Sequence, residues 1–266
     1  MLDARRSTLS VSSVDGRSVV VGAHATTPLK LLTPRNHGTA AWVFQSSHGG
    51  GFVGRDHVTL AVAVEHGATL FLSSQASSKV YRGADARFEL DASVADDATL
   101  VCWPDPVACF ADGALVQRQR FQLAPRATLV CVDAVTSGRP AHGDEWDARR
   151  LELRVEVDVA GVPCFRDALL LSPAHGALRA RLASTGALAT AALLGPRFAG
   201  VAPGLAGQLS TRRSEPRVFV VCSPHPHGAV LRFAAPSAEA LGRVLRELLS
   251  PLVTPLLGED PFERKW

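Results

Sequence analysis

Three stretches of this chain share one pattern, a strand-like run, a polar turn and then Ala-Thr-Leu: Val64-Glu-His-Gly-Ala-Thr-Leu70, Val94-Ala-Asp-Asp-Ala-Thr-Leu100 and Leu123-Ala-Pro-Arg-Ala-Thr-Leu129. The alanines stand at 68, 98 and 127. A recurrence of about 30 residues is the range in which one supersecondary unit is laid on the next, because a single unit cannot bury its apolar face alone. We therefore expect stacked β-layers rather than a closed barrel or a plain sandwich, each unit being a hairpin-like pair of strands.

The rest of the pattern agrees with a chain that is mainly β. Leu151-Glu-Leu-Arg-Val-Glu-Val-Asp-Val159 alternates apolar and charged residues without interruption, as a strand with one wet face does. Shorter period-two or β-branched runs cover Val58 to Val64, Thr69 to Leu72, Arg217 to Val221 and Ala229 to Phe233, with Gly, Pro and Asp-rich turns between them. Helical spacing is confined to the last third. Ser237 can cap a helix over residues 236–250 in which Leu241, Val244, Leu245, Leu248 and Leu249 share a face, with Pro251 ending it. A second helix is expected between Pro196 and Gln208. The fold class is thus mainly β, with stacked or coiled antiparallel and mixed β-layers and about two α-helices in the C-terminal third. Residues 1–22 supply an N-terminal segment and the first strands, and with no linker in view residues 1–266 are expected to be one domain.

Composition bounds the function. Hydrophobic residues make up 47% and charged residues 20%, enough apolar material for a packed core. The net charge of +3 is scattered, and no segment concentrates the Lys and Arg needed to track a phosphate backbone, so nucleic acid is not an expected partner. The five cysteines are odd in number and form no C-x-x-C pair, which suits reduced thiols in the cytoplasm. The N-terminal residues lack an apolar run behind their basic ones, and no stretch approaches the roughly 20 apolar residues of a membrane span. A soluble, cytoplasmic protein is expected.

Local motifs offer little catalysis. His48-Gly49-Gly50-Gly51 matches an oxyanion-hole loop, but no G-x-S-x-G supplies a nucleophile, and a glycine turn between strands is the simpler reading. Cys222, His225 and His227 are weak metal candidates within six residues; their prolines read as a rigid surface turn, and no second cluster completes a tetrahedral set. Asp56, His57, His142, Asp144, Glu145 and Asp167 fall in or near turns, where carboxylates are either solvated or gathered by a loop for acid–base work. There is no Walker loop, G-x-G-x-x-G or H-E-x-x-H.

Four ordered elements sharpen this. Gly49-Gly-Gly-Phe-Val-Gly-Arg-Asp56 precedes Ser73-Ser-Gln-Ala-Ser-Ser-Lys-Val-Tyr-Arg82; Pro104-Asp-Pro-Val-Ala-Cys-Phe110 and Thr136-Ser-Gly-Arg-Pro-Ala-His-Gly-Asp-Glu-Trp146 follow. Arg166-Asp-Ala-Leu-Leu-Leu171, the strand containing Arg232 and the ending Gly258-Glu-Asp-Pro-Phe-Glu-Arg-Lys-Trp266 continue the pattern. Together they resemble the urease accessory protein UreD (UreH) family, with two departures: Arg55 where the family usually has Gly, and Ser74 where it usually has Thr. The resemblance implies a non-catalytic β-scaffold that works with urease accessory protein F and the accessory GTPase G on the urease apoprotein, assisting nickel insertion. It implies no tightly bound cofactor, only transient Ni2+, and leaves open a pair of copies held within the complex. Under it, Asp56, Glu145 and Asp167 are expected on a polar channel wall or interface, and Lys79 and Tyr81 to fix the turn. Leu245 and Leu249 are expected in the core or on the face that meets F. The alternatives are a metal-independent β-scaffold protein-binding module and, more distantly, a hydrolase using His142, Asp144 and Glu145.

Overall fold

The computed structural model describes residues 6–213 and 215–263; the last three residues of the Trp266 ending lie outside them. Strands β1 (Ser7–Val14), β2 (Arg17–His24), β3 (Leu29–Leu32), β4 (Ala41–Ser47), β5 (Gly51–Phe52) and β6 (His57–Val64) come first. They are followed by β7 (Thr69–Ser74), β8 (Lys79–Val80), β9 (Ala86–Val94), β10 (Thr99–Cys102), β11 (Val107–Cys109) and β12 (Ala114–Leu123). Next come β13 (Thr128–Thr136), β14 (Arg150–Val159), β15 (Val162–Leu171), the single-turn helix α1 (Leu178–Arg181) and β16 (Ala187–Leu194). Helix α2 (Val201–Thr211), β17 (Phe219–His225), β18 (Gly228–Ala235) and helix α3 (Ala238–Leu257) complete the order.

The repeat seen in the sequence is a stack of coils. β6, β9, β12 and β14 run parallel in a seven-stranded sheet ordered β15-β14-β12-β9-β6-β1-β2. β4, β7, β10 and β13 run parallel in the second sheet, along β17-β18-β16-β13-β10-β7-β4-β3, and the short β5, β8 and β11 form a parallel branch of that sheet, joined to it where β11 pairs with β13. The expected layering holds, but the two strands of each unit do not form a hairpin. Each pairs instead with the same strand of the next coil, so Thr69, Thr99 and Thr128 stand in one row and Leu70, Leu100 and Leu129 in the next.

The turn explains why Ala-Thr-Leu recurs. In each coil the alanine N–H donates to the carbonyl three residues back: Ala68 to Glu65, Ala98 to Ala95 and Ala127 to Ala124. The Thr99 N–H then donates to the Ala68 carbonyl and the Thr128 N–H to the Ala98 carbonyl, which locks adjacent coils together. All three alanines are buried, leaving no room for a longer side chain. Antiparallel strands flank the parallel stack, with β2 on β1 and β3 on β4 at one end and β15 on β14 and β16 on β13 at the other.

Alternation along the second sheet separates two cores. Leu70, Leu72, Leu100 and Leu129 point between the sheets, while Phe71, Val101, Val130 and Val132 point outward beneath α3. That helix buries Leu241, Val244, Leu245, Leu248 and Leu249 as the spacing predicts, and Ser237 Oγ accepts the Ala240 N–H at 3.2 Å as its cap. The end expected at Pro251 is overrun. The helix continues to Leu257 with Pro251 and Pro255 inside it, because Val253 and Leu257 keep the buried stripe in register and offset the backbone bonds that proline forfeits. Leu245 and Leu249 therefore belong to the core. The second helix lies at Val201–Thr211, a few residues later than expected, after a short turn at Pro196–Phe198.

Candidate functional site: an acidic interior between the sheets

The apolar filling between the sheets is interrupted at one level. In β13 the inward series is Leu129, Cys131, Asp133, Val135, so a carboxylate occupies a position that packing would give to an aliphatic side chain. Facing it from β12, Gln117 and Gln119 take the inward places between Leu115 and Phe121 and are 6% and 2% exposed. Gln117 Nε2 donates to Asp133 Oδ1 at 2.8 Å, bridging the sheets. Gln119 Oε1 lies 3.9 Å from Cys102 Sγ, while Gln119 Nε2 has no protein partner. A buried amide donor beside a cavity is of the kind that water can satisfy.

Two cavities, each of about 180 Å³, are both bordered by Asp133. The first is bordered by Gln117, Gln119, Ser74, Asp105 and Lys79, and reaches the surface at Gln75 and Ala76. The second is bordered by Val155, Leu169, Asp167, Thr190 and Arg232. Asp133 thus stands where the two adjoin, and burial pushes its carboxyl up to about 7; the Gln117 hydrogen bond opposes this and the charge of Asp167 adds to it. Across the second cavity, Arg232 Nη2 donates to Asp167 Oδ1 at 2.7 Å.

The residues singled out from sequence fall in different places. Lys79 borders the first cavity and Asp167 the second. Asp56 lines neither; its Oδ2 accepts the Val53 N–H at 2.8 Å and closes the turn in which Arg55 takes φ +72°. Tyr81 also serves this turn region, its hydroxyl donating to the Gly49 carbonyl at 3.4 Å and its ring meeting Phe110 edge-on at 5.5 Å. The glycine string is the expected turn, with Gly49 at φ +84° and Gly50 at φ +73°. Glu145 borders a separate surface depression and offers Arg179 its backbone carbonyl. In that motif the buried carboxylate is Asp144, held by the Arg139 backbone N–H and guanidinium; burial works to raise its pKa, but these bonds prevail and keep it below the usual carboxylate range.

Cys222 and His225 lie within β17 rather than in a turn, and an edge strand accommodates Pro224. His225 Nε2 contacts the Cys164 carbonyl at 3.1 Å, and the His227 N–H donates to His225 Nδ1. Among the described residues no three His, Cys, Asp or Glu side chains are gathered with metal-holding geometry. The residues missed from sequence are Asp133, Gln117 and Gln119. A lone charge in the apolar run Thr128-Leu-Val-Cys-Val-Asp-Ala-Val-Thr136, and two glutamines in phase with Leu115 and Phe121, were the available signals.

A coiled β-scaffold around a carboxylate-bearing interior with two cavities is the class of protein that these features define. The profile described as UreD urease accessory protein matches residues 4–266. A urease accessory protein UreD from Sorangium cellulosum is 46% identical, the match covering 97% of this chain and 83% of that one. Another from an Anaeromyxobacter species is 39% identical over 96% of this chain and 88% of its own length, and the urease accessory protein D of Oryza sativa subsp. indica is 32% identical over 95% and 93%. The chain belongs to the UreD urease accessory protein family, which places it in urease maturation. No described helix is long and apolar enough to cross a membrane.

Proposed function

We propose that this chain is a cytoplasmic nickel-insertion chaperone. It bridges the urease apoprotein to accessory protein F and GTPase G, performs no turnover of its own, and gives Ni2+ a path through the interior past Asp133. The observation that carries this reading is that Asp133 borders both cavities, so an ion crossing from one to the other passes its carboxylate. A carrier must release its cargo, and a single carboxylate with amide neighbours binds a divalent cation far more weakly than a closed Cys/His cage. Asp105 at the first cavity and Asp167 at the second extend the same oxygen chemistry to either side.

The test is reconstitution of urease activity from apoprotein, F, G, nickel and GTP, with this chain as wild type, Asp133→Asn or Asp133→Leu. Activation should depend on the chain and drop several-fold with either variant, while both still co-purify with F. Full activation without the chain, or wild-type activation by both variants, would reject the conduit.

A further inference from the structure

Arg232 occupies an unusual place for a cation in an interior read as a nickel path. Register aligns Asp133 with Thr190, Thr190 with Arg232 and Arg232 with Val221, so the four stand in one row across β13, β16, β18 and β17. Directly paired residues project from the same face of a sheet, which puts all four side chains toward the first sheet. Asp167 of β15 reaches this row from the opposite sheet. The Arg232 side chain is 58% exposed and that of Asp167 only 15%. The guanidinium therefore sits between the inner carboxylates and solvent, holding Asp167 through Nη2 at 2.7 Å and Thr190 Oγ1 through Nη1 at 3.3 Å.

Resting on the conduit reading, we propose that Arg232 is a displaceable cationic latch, which while paired with Asp167 bars divalent cations from the edge-side mouth of the second cavity. Two properties of the pair suit this role. A positive charge at the mouth repels an incoming dication and also neutralises the carboxylate that would attract it. An ion pair whose Arg is mostly in water is weakly held, so a competing carboxylate can draw the side chain outward without disturbing the sheet. The latch thus makes the mouth conditional, closed to free cations and opened by an acidic group on a docked protein.

The experiment measures Ni2+ uptake by the full chain, as the rate of removal from a chromophoric chelator at low and high salt. Wild type is compared with Arg232→Gln, Arg232→Met, Arg232→Lys and Asp133→Asn, each checked for a native circular dichroism spectrum. Loss of the charge in Arg232→Gln should accelerate uptake roughly tenfold at low salt, with a smaller gain at high salt. Arg232→Lys, which keeps the charge, should stay near wild type; Arg232→Met, which keeps the aliphatic stem, serves if the Gln variant misfolds. Uptake unchanged by both charge-removing variants, while Asp133→Asn still lowers it, would overturn the latch and leave the conduit standing. Uptake indifferent to Asp133→Asn in every background would overturn the conduit and the latch with it.

Discussion

Asp133→Asn should make the protein more stable at alkaline pH even as it weakens nickel delivery. Burial raises the Asp133 carboxyl from an ordinary 3.8 to about 7 in the folded chain. Between these values the folded chain retains a proton that the unfolded chain has released, so stability falls as pH rises through the interval and stays reduced above it. At about 1.4 kcal/mol per pH unit the separation corresponds to an upper limit of about 4 kcal/mol. A carboxylate that borders two cavities is less completely desolvated than one in a packed core, which brings the expected figure to about 1–3 kcal/mol. Asparagine keeps the oxygen that accepts from Gln117 Nε2 and cannot ionise. Urea unfolding in steps from pH 4 to pH 8 should show the variant close to wild type at pH 4, with its lead widening to about 1–3 kcal/mol at pH 8. A difference constant across the series, or a variant less stable at pH 8, would refute the argument that Asp133 is charged at a cost. A carboxylate retained against stability is what a working site leaves behind.

Other positions give independent checks. Ser237→Ala removes the oxygen that accepts the Ala240 N–H and should cost about 1 kcal/mol in chemical denaturation. Gly228 has φ +148°, and a Cβ there would lie 2.0 Å from the Leu193 carbonyl oxygen, so Gly228→Ala should destabilise by about 2 kcal/mol or more. Gly204 sits in α2 with open space around it, and Gly204→Ala should instead stabilise by about 0.5–1 kcal/mol, the two melting curves moving in opposite directions. Burial pushes the Cys102 and Cys109 thiols up to about 12 and Cys131 well above its usual value, whereas Cys164 and Cys222 are only partly buried. A disulfide reagent at pH 8 should therefore modify Cys164 and Cys222 first and reach all five only after unfolding; equal rates in the native protein would contradict this.

Legibility from sequence followed the range of the interaction. The Ala-Thr-Leu echo was readable because each coil repeats the same local turn, yet which strands hydrogen-bond to which depends on the neighbouring coil, and a hairpin was inferred where parallel stacking holds. The α3 stripe and its Ser237 cap are local and were legible; its continuation through Pro251 depends on tertiary burial of Val253 and Leu257. At the site, Asp167 stands in a recognisable motif and borders a cavity. Asp133 shows in the sequence only as a lone charge in an apolar strand, and its importance comes from the glutamines that a separate strand brings opposite. Asp56 and Tyr81 show the converse, motif residues whose visible contacts build a turn.

The coil stack also acts as a ruler. Parallel strands in a sheet are spaced by about 4.8 Å, so the thickness of the stack changes only in such steps, one for each unit of about 30 residues. Inserting or deleting a coil between β9 and β12 would move the two flanking antiparallel caps by one step while leaving the cross-section unchanged. Surfaces at opposite ends of the stack are therefore held at a separation counted in coils, and loops can grow at the corners without altering it.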